Sequence, residues 1–332
     1  MLFKKRFQKK RTLLPFILVF LLCSSFCPST ASASNQVSNW GRLSVKGTHI
    51  VNKKGKAVVL KGVSTHGIAW FPQYVNKEQF ASWKKFGANT IRLAFYSNKA
   101  DGYSRSLYST IDKGIQAATE LGMYVIIDWH ILQDGNPQTN QKEAAYFFTR
   151  MAKKYHSQSN ILYEICNEPN GNVTWEHSIK PYAKKIIKVI RKYDKNSIII
   201  VGTPTWSQDV DTVSNSPLQG EKNIMYTLHF YAATHNERNR SKLQAALKKN
   251  LPVFVTEFSI CDASGTGPIN KSEAQKWMKL LKKNKISYIA WNISNKNETS
   301  ALIKSNCNKT KKIKKSDLSS TGKWFIKQLK SN

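Results

Sequence analysis

The sequence is short of acid. Its 332 residues hold 20 Asp and Glu against 52 Lys and Arg, for a formal net charge of +32. Charged residues make up 22% of the chain, near the usual share of about a quarter, so the balance is unusual and the density is not. Cysteine is scarce as well, and five in 332 residues are too few for a disulfide scaffold. Cys23 and Cys27 lie near the start, and Cys166, Cys261 and Cys307 remain for the body of the chain. That odd number leads us to expect no essential disulfide. No apolar run reaches the roughly 20 residues that span a bilayer. There is no Pro/Ser/Thr-rich linker and no repeat that would mark a second domain. A His-Glu-x-x-His helix, a Cys-x-x-Cys pair and a Gly-rich phosphate loop are all missing, so no metal and no cofactor is expected. Aromatic residues are plentiful at 11%, with nine Trp, which argues against a disordered chain.

The first residues read as a targeting segment. Lys4, Lys5, Arg6, Lys9, Lys10 and Arg11 precede a mostly apolar run from Leu13 to Phe26, and Ala31-Ser32-Ala33 follows. A basic start, a short apolar stretch and a small-x-small site form the layout of a secretory signal peptide. The expected division is therefore a signal peptide over 1–33 and one domain over 34–332. The expected product is secreted and extracellular, with no stable membrane insertion after cleavage.

Short apolar, β-branched runs recur at Val58–Ser64, Thr90–Phe95, Tyr124–His130, Ile161–Glu168, Ser197–Pro204, Ile224–Tyr231, Pro252–Ser259 and Tyr288–Ser294. Most are nearly continuous in hydrophobicity, as strands covered on both faces are. Helix-like segments such as Ser104–Leu121, Lys142–Tyr155, Trp175–Tyr193, Ser241–Lys249 and Glu273–Lys283 lie between them. Strand candidates alternating with helices over this length predict an α/β fold, a single-domain (β/α)8 TIM barrel. A doubly wound open sheet would carry a Gly-rich turn after its first strand. Here that strand ends in Val63-Ser64-Thr65-His66-Gly67. Leu43–Val51 and Ala57–Leu60 flank Asn52-Lys53-Lys54-Gly55 and predict a short N-terminal β-hairpin capping the lower end of the barrel.

In such a barrel the chemistry sits at the carboxyl ends of the strands. The polar residues there are His66, Arg92, Tyr96, Asp128, His130, Asn167, Glu168, His229, Tyr231 and Glu257, with Trp291 on the last strand. Among the acids, only Asp128, Glu164, Glu168 and Glu257 fall within the strand runs. Glu164, four residues before Glu168, is expected in the barrel floor, held by Arg or hydroxyl partners. Asp128 is expected to orient its neighbours. Glu168 and Glu257 remain as two carboxylates at one rim. One can protonate a leaving oxygen while the other attacks an anomeric carbon or activates water, and their separation decides between the two.

The run Ile161-Leu-Tyr-Glu-Ile-Cys-Asn-Glu-Pro169 resembles the Asn-Glu-Pro signature of glycoside hydrolase family five, the cellulase-type (β/α)8 enzymes. Leu60–Gly67, Ile127–Pro137, His229-Phe-Tyr231, Val253–Phe258 and Trp291–Glu298 resemble the same family, in the expected order. The likeness covers about residues 40–330 and is strongest to the bacterial-type endo-β-1,4-glucanase branch. It implies Glu168 as general acid/base and Glu257 as nucleophile in a retaining double displacement. Glu257 must then stay ionised, and Arg92 and Tyr231 are the candidates to keep it so. Asn167 is implied as a donor to the sugar 2-hydroxyl, with His130 and His229 as partners of hydroxyls and carboxylates. Trp291 is implied as a stacking floor, His66, Trp70 and Tyr96 as glycone-side contacts, and Lys296 and Glu298 as hydrogen-bonding groups on a loop. Two departures stand out: Phe258-Ser259 replaces a common Trp-Gly, and Asn295 stands where relatives often have Asp.

The implied substrate is a β-1,4-glucan, and the implied activity that of a secreted cellulase. Mannan, xylan or mixed-linkage glucan remain alternatives, as does a barrel that binds wall polymer without cleaving it. The bases peak late: nine Lys and one acid, Asp317, lie between Lys304 and Asn332. This suggests attachment to acidic cell-wall polymers through the basic surface. No nucleic-acid partner is expected, and the enzyme is expected to be a monomer.

Overall fold

The computed structural model describes residue 2 and residues 35–330. The expected signal segment therefore lies almost wholly outside the described residues. Eight parallel strands close into a barrel in the order β10-β3-β4-β5-β6-β7-β8-β9. They are β3 (Lys61–Thr65), β4 (Thr90–Tyr96), β5 (Tyr124–His130), β6 (Ile161–Glu164), β7 (Ile199–Val201), β8 (Ile224–Tyr231), β9 (Val253–Ser259) and β10 (Tyr288–Ile293). Helices such as Tyr108–Glu120, Gln141–Tyr155, Lys180–Arg191, Glu237–Lys248 and Lys271–Lys283 return the chain between strands. This is the expected (β/α)8 barrel. Among the described residues, no helix is long and apolar enough to cross a membrane.

Alternation along each strand sorts the side chains between two cores. Val125, Ile127 and Trp129 of β5 face outward into the large cluster shared with the helices. Tyr124 and Ile126 face inward, where they join Leu162, Ile198, Ile200, Met225, Phe254 and Ile289 in a second apolar cluster that fills the lower half of the barrel. Leu43, Ile50, Val58 and Leu60 belong to that inner cluster, so the N-terminal segment caps the lower end as expected.

The hairpin itself closes elsewhere than expected. Its strands are β1 (Ser44–Lys46) and β2 (His49–Val51), paired antiparallel around Gly47-Thr48, where Gly47 takes a φ of +58°. The Asn52–Gly55 turn also forms, with the Gly55 amide donating to the Asn52 carbonyl, but only an isolated bridge, Val51 to Ala57, follows it. Val58 donates to Ile50, which draws Val58–Leu60 into the cap and delays the first barrel strand to Lys61.

Three further boundaries differ. β6 stops at Glu164, although Ile165, Asn167 and Glu168 go on donating to Ile200, Trp129 and Ile131. β7 is confined to Ile199–Val201. The predicted Trp175–Tyr193 helix opens with a π turn, Trp175–Ile179, before its α-helical part. A helix absent from the sequence reading, Lys77–Phe86, is bounded by Asn76, whose side chain accepts from the Gln79 amide, and by Gly87 at φ 111°. Both are ordinary cap residues that mark a helix in sequence.

Candidate active site

The upper half of the barrel interior is organised by Arg92, which is fully buried on β4. Its Nε donates to Glu164 Oε2 at 2.7 Å, its Nη1 to Glu257 Oε2 at 3.1 Å and its Nη2 to Asn167 Oδ1 at 2.5 Å. Nη2 also lies 3.0 Å from Asp128 Oδ2. Burial alone would lower the Arg92 pKa, but Asp128, Glu164 and Glu257 together raise it above its ordinary value. One guanidinium thus serves three carboxylates. Burial would push the Glu164 carboxyl up, and Arg92 and His229 bring it down to about 2. Thr256 Oγ1 donates to Glu164 Oε1 at 2.6 Å. Glu164 therefore has the Arg and hydroxyl partners expected of it. It lies one layer beneath Glu257, however, and not in the floor, because the floor is the apolar cluster. Burial raises the Asp128 pKa against the pull of Arg92.

Glu257 arrives in this layer through an irregularity. Val253 and Val255 pack outward and Phe254 inward, so strict alternation would turn Glu257 toward the helices. The β8–β9 register runs Thr227 to Phe254 and then His229 to Glu257. The β10 register likewise jumps from Tyr288–Val255 to Ala290–Phe258. β9 thus carries one extra residue against both neighbours, a bulge, which re-aims a side chain. Thr256 and Glu257 both face the interior as a result. Tyr231 donates its hydroxyl to Glu257 Oε1 at 2.7 Å.

Glu168 approaches from the loop after β6. His229 Nδ1 lies 2.8 Å from its Oε1, and His229 Nε2 lies 3.0 Å from Thr256 Oγ1. Burial would lower the His229 pKa, but the carboxylates of Glu164 and Glu168 raise it to about 9. Beside these carboxylates His229 favours its protonated form. His130 differs: burial, with Arg92 second, lowers it to about 3. It is neutral, with Nδ1–H donating to Asp128 Oδ2 at 2.7 Å and Nε2 accepting from Asn167 Nδ2 at 3.4 Å. His66 is also neutral, lowered by burial to about 4. Its Nδ1 accepts from the Gly67 amide at 2.7 Å, which leaves Nε2–H to donate.

These groups open into a cavity of about 500 Å³ lined by His66, Tyr96, His130, Glu168, His229, Tyr231, Glu257, Trp291, Lys296 and Glu298. Trp291 stacks on His130 with centroids 5.2 Å apart and planes 13° apart. Lys296 Nζ lies 2.7 Å from Glu298 Oε2, and Asn292 donates to Glu298 Oε1 at 2.8 Å. Arg92 and Asn167 lie beneath the cavity, with Asn167 donating to the Ile131 carbonyl. Trp70 is outside the lining, 56% exposed at the rim, its indole N–H donating to the Asp101 carbonyl.

The sequence reading missed Trp206, Gln208, His235 and the Ala263–Gly265 loop, all of which line the cavity. Trp206 lies two residues past the predicted strand Ser197–Pro204, so its position beyond a strand end was a usable signal. Its left-handed backbone, φ 54° between Thr205 at 56° and Ser207 at 57°, was not.

One atom each from Glu168, His229 and Glu257 lie within 4.8 Å of one another, a spacing that would also suit a metal ion. The donor set suits one poorly. His229 favours its protonated form, and the Arg92 cation already occupies Glu257. What the pair offers instead is two carboxylates across an open cleft, one gripped by two donors and the other beside a histidine.

Residues 51–297 match the cellulase family, glycosyl hydrolase family 5. The chain is 44% identical over 299 residues to endoglucanase A of Butyrivibrio fibrisolvens, covering 87% of this chain and 69% of the relative. It is 43% identical over 329 residues to an endoglucanase of Clostridium saccharobutylicum, covering 98% and 73%. Its fold superposes with a TM-score of 0.84, at 35% identity and covering 89% and 99%, on the catalytic domain of Thermobifida fusca endoglucanase Cel5A in complex with cellotetraose. With the barrel, the paired glutamates and this similarity in hand, the chain belongs to glycosyl hydrolase family 5, the cellulases, and is a glycoside hydrolase.

Proposed function

We propose that this protein is a secreted endo-β-1,4-glucanase that cleaves internal bonds with retention of configuration. The observation that carries this reading is the spacing of the two glutamates. Retaining glycosidases hold their carboxyl groups about 5–5.5 Å apart and inverting ones about 6.5–9.5 Å. Here the nearest carboxylate oxygens of Glu168 and Glu257 lie within 4.8 Å, which favours the shorter, retaining class.

In the first step a Glu257 oxygen attacks the anomeric carbon. Glu168 gives its proton to the glycosidic oxygen as the carbon–oxygen bond breaks, leaving a glycosyl ester on Glu257. In the second step Glu168, now a carboxylate, takes a proton from water. The water oxygen attacks the anomeric carbon and frees Glu257. The assignment follows from the partners. Glu257 is held in place by hydrogen bonds from Arg92 and Tyr231, which aim one of its oxygens into the cleft. Glu168 is held only by His229 among the described residues. Asn167, beneath the cavity, is fixed by Arg92 and the Ile131 carbonyl and steadies the guanidinium that holds Glu257. Trp291 and Tyr96 supply flat faces, His66 and His130 a donor and an acceptor, and Lys296, Glu298 and Trp70 the outer contacts.

A glucan is favoured by the relatives named endoglucanase and by the cellotetraose in the Thermobifida complex. The test is reducing-sugar release from carboxymethylcellulose, mannan, xylan, mixed-linkage β-glucan and chitosan. Carboxymethylcellulose should be cleaved, and Glu257→Gln and Glu168→Gln should each lose on the order of 10⁴-fold in rate. A wild-type protein inert on all five, or a Glu257→Gln variant at wild-type rate, would defeat the proposal.

Secretion is supported by the basic, apolar and small-residue order of residues 1–33. Exposed Lys311, Lys312, Lys314 and Lys315 also favour attachment to acidic wall polymers. Retention on polygalacturonate should then fall as salt rises. Retention that does not respond to salt would remove this partner.

A further inference from the structure

The barrel end opposite the cleft holds a second cavity, of about 620 Å³. It lies between the helices Lys271–Lys283 and Ser320–Lys330, over the first residues of β10 and β3. Its floor is apolar: Val59, Met278, Leu281, Ile286 and Tyr288. Its wall is cationic: Lys61, Lys279, Lys282, Lys285 and Lys327 all line it, and among the described residues no Asp or Glu does. The volume falls in the range of about 300–1,000 Å³ typical of small-molecule sites. Lys279, Lys282, Lys285 and Lys327 are exposed, while Met278, Leu281, Ile286 and Tyr288 are buried.

An apolar floor beneath several ammonium groups has a definite complement. A molecule with an apolar body gains by burying it, about 0.8 kcal/mol per methylene. An anionic head gains by meeting several flexible donors at once. A second observation points the same way: the Lys61 pKa is lowered, by burial first and by Lys282 second. Lys61 and Lys282 are thus close enough to repel, so this wall concentrates positive charge. A hydrophilic polyanion would satisfy the wall and waste the floor, and an uncharged amphiphile would do the reverse.

We propose that this cavity binds a long-chain carboxylate, its tail on the Met278–Leu281–Tyr288 floor and its head among Lys279, Lys282 and Lys327. The site is separate from the cleft and independent of the glucanase reading.

The experiment is calorimetric titration of the whole protein with dodecanoate below its micelle concentration. A single saturable site is expected. Octanoate, four methylenes shorter, should bind at least about tenfold more weakly. The double variant Lys282→Gln/Lys327→Gln should lose about tenfold or more in affinity, as expected for a lost charge-assisted contact. Its glucan hydrolysis should be unchanged, which also reports an intact fold. Dodecyl maltoside, which has no charge, and polygalacturonate, which has no tail, should each compete at least about tenfold more weakly than dodecanoate binds. The proposal is overturned by the absence of saturable binding, by equal affinity for the two chain lengths, by an unaffected double variant, or by either control competing as well as dodecanoate.

Discussion

Along β5, Tyr124 and Ile126 enter the lower half of the barrel, and Asp128 and His130 enter the upper half. β8 does the same with Met225 below and Thr227, His229 and Tyr231 above, and β6 with Leu162 below and Glu164 above. The lower half is a closed apolar cluster sealed by the N-terminal hairpin. In the upper half Arg92 joins Asp128, Glu164, Asn167 and Glu257, and Thr256 joins Glu164 to His229. Both halves use the same inward phase of the same strands. The difference lies in what each half asks of a mutation. Apolar packing loses area and leaves a cavity. A charge network loses a partner for several groups at once.

The largest separation should come from Arg92→Met. It leaves Asp128, Glu164 and Glu257 without their shared cation. The expected loss is about 3–5 kcal/mol of stability, the usual range for breaking a buried pair, together with most of the activity. Denaturant unfolding and glucan hydrolysis on the same sample would check both. A variant that keeps wild-type stability would break the comparison.

Leu162→Ala, below, should cost about 3 kcal/mol through lost burial and the cavity left behind. The kcat of the folded fraction should stay within about twofold, since no apolar floor residue touches the reacting groups. A large fall in kcat at full folding would mean that the two halves are coupled.

The pH response should arise mainly above the floor. The His229 pKa is raised to about 9, so its contribution is full below its ordinary value of 6.5 and is lost as pH rises through 9. His66 and His235 are lowered to about 4 and His130 to about 3. Their contribution is present above 6.5 and is lost as pH falls through those values. Stability should therefore peak near pH 6.5. The acid limb should be the steeper, with three histidines taking up protons against the one that His229 releases. Thermal unfolding from pH 3 to 10 measures the two limbs, and His229→Gln should flatten the alkaline one alone.

The smallest effect is expected at the rim. Trp70→Ala removes an exposed stacking face and should raise KM by a few-fold, about 1 kcal/mol, with stability unchanged. An equal loss in kcat would place Trp70 closer to the reacting bond than its exposure indicates.

Much of this was legible in the sequence. The strand ends carrying His130, Asn167, Glu168, His229 and Glu257 were legible because each apolar run ends in polar residues, and a barrel places its chemistry at those ends. The hairpin was legible as an element but not in register, since Asn52-Lys53-Lys54-Gly55 is the stronger turn signal and Gly47-Thr48 the one that closes the ladder. The bulge in β9 was not read. The run Val253–Phe258 carries two polar residues side by side, Thr256 and Glu257, but only its pairing with β8 and β10 shows that they share a face. Glu164 was read as structural, but not as the residue that passes the charge of Arg92 to Thr256, because that contact joins strands that are distant in sequence.

The central claim is that Glu257 attacks sugar carbon directly while Glu168 trades a proton. Proton NMR of the first-formed product from a soluble cello-oligosaccharide, recorded before mutarotation, tests it most directly. Retention predicts that the new reducing end appears first as the β-anomer and only later equilibrates. An initial α-anomer would mean inversion through an activated water, and would contradict the account despite carboxylate oxygens within 4.8 Å.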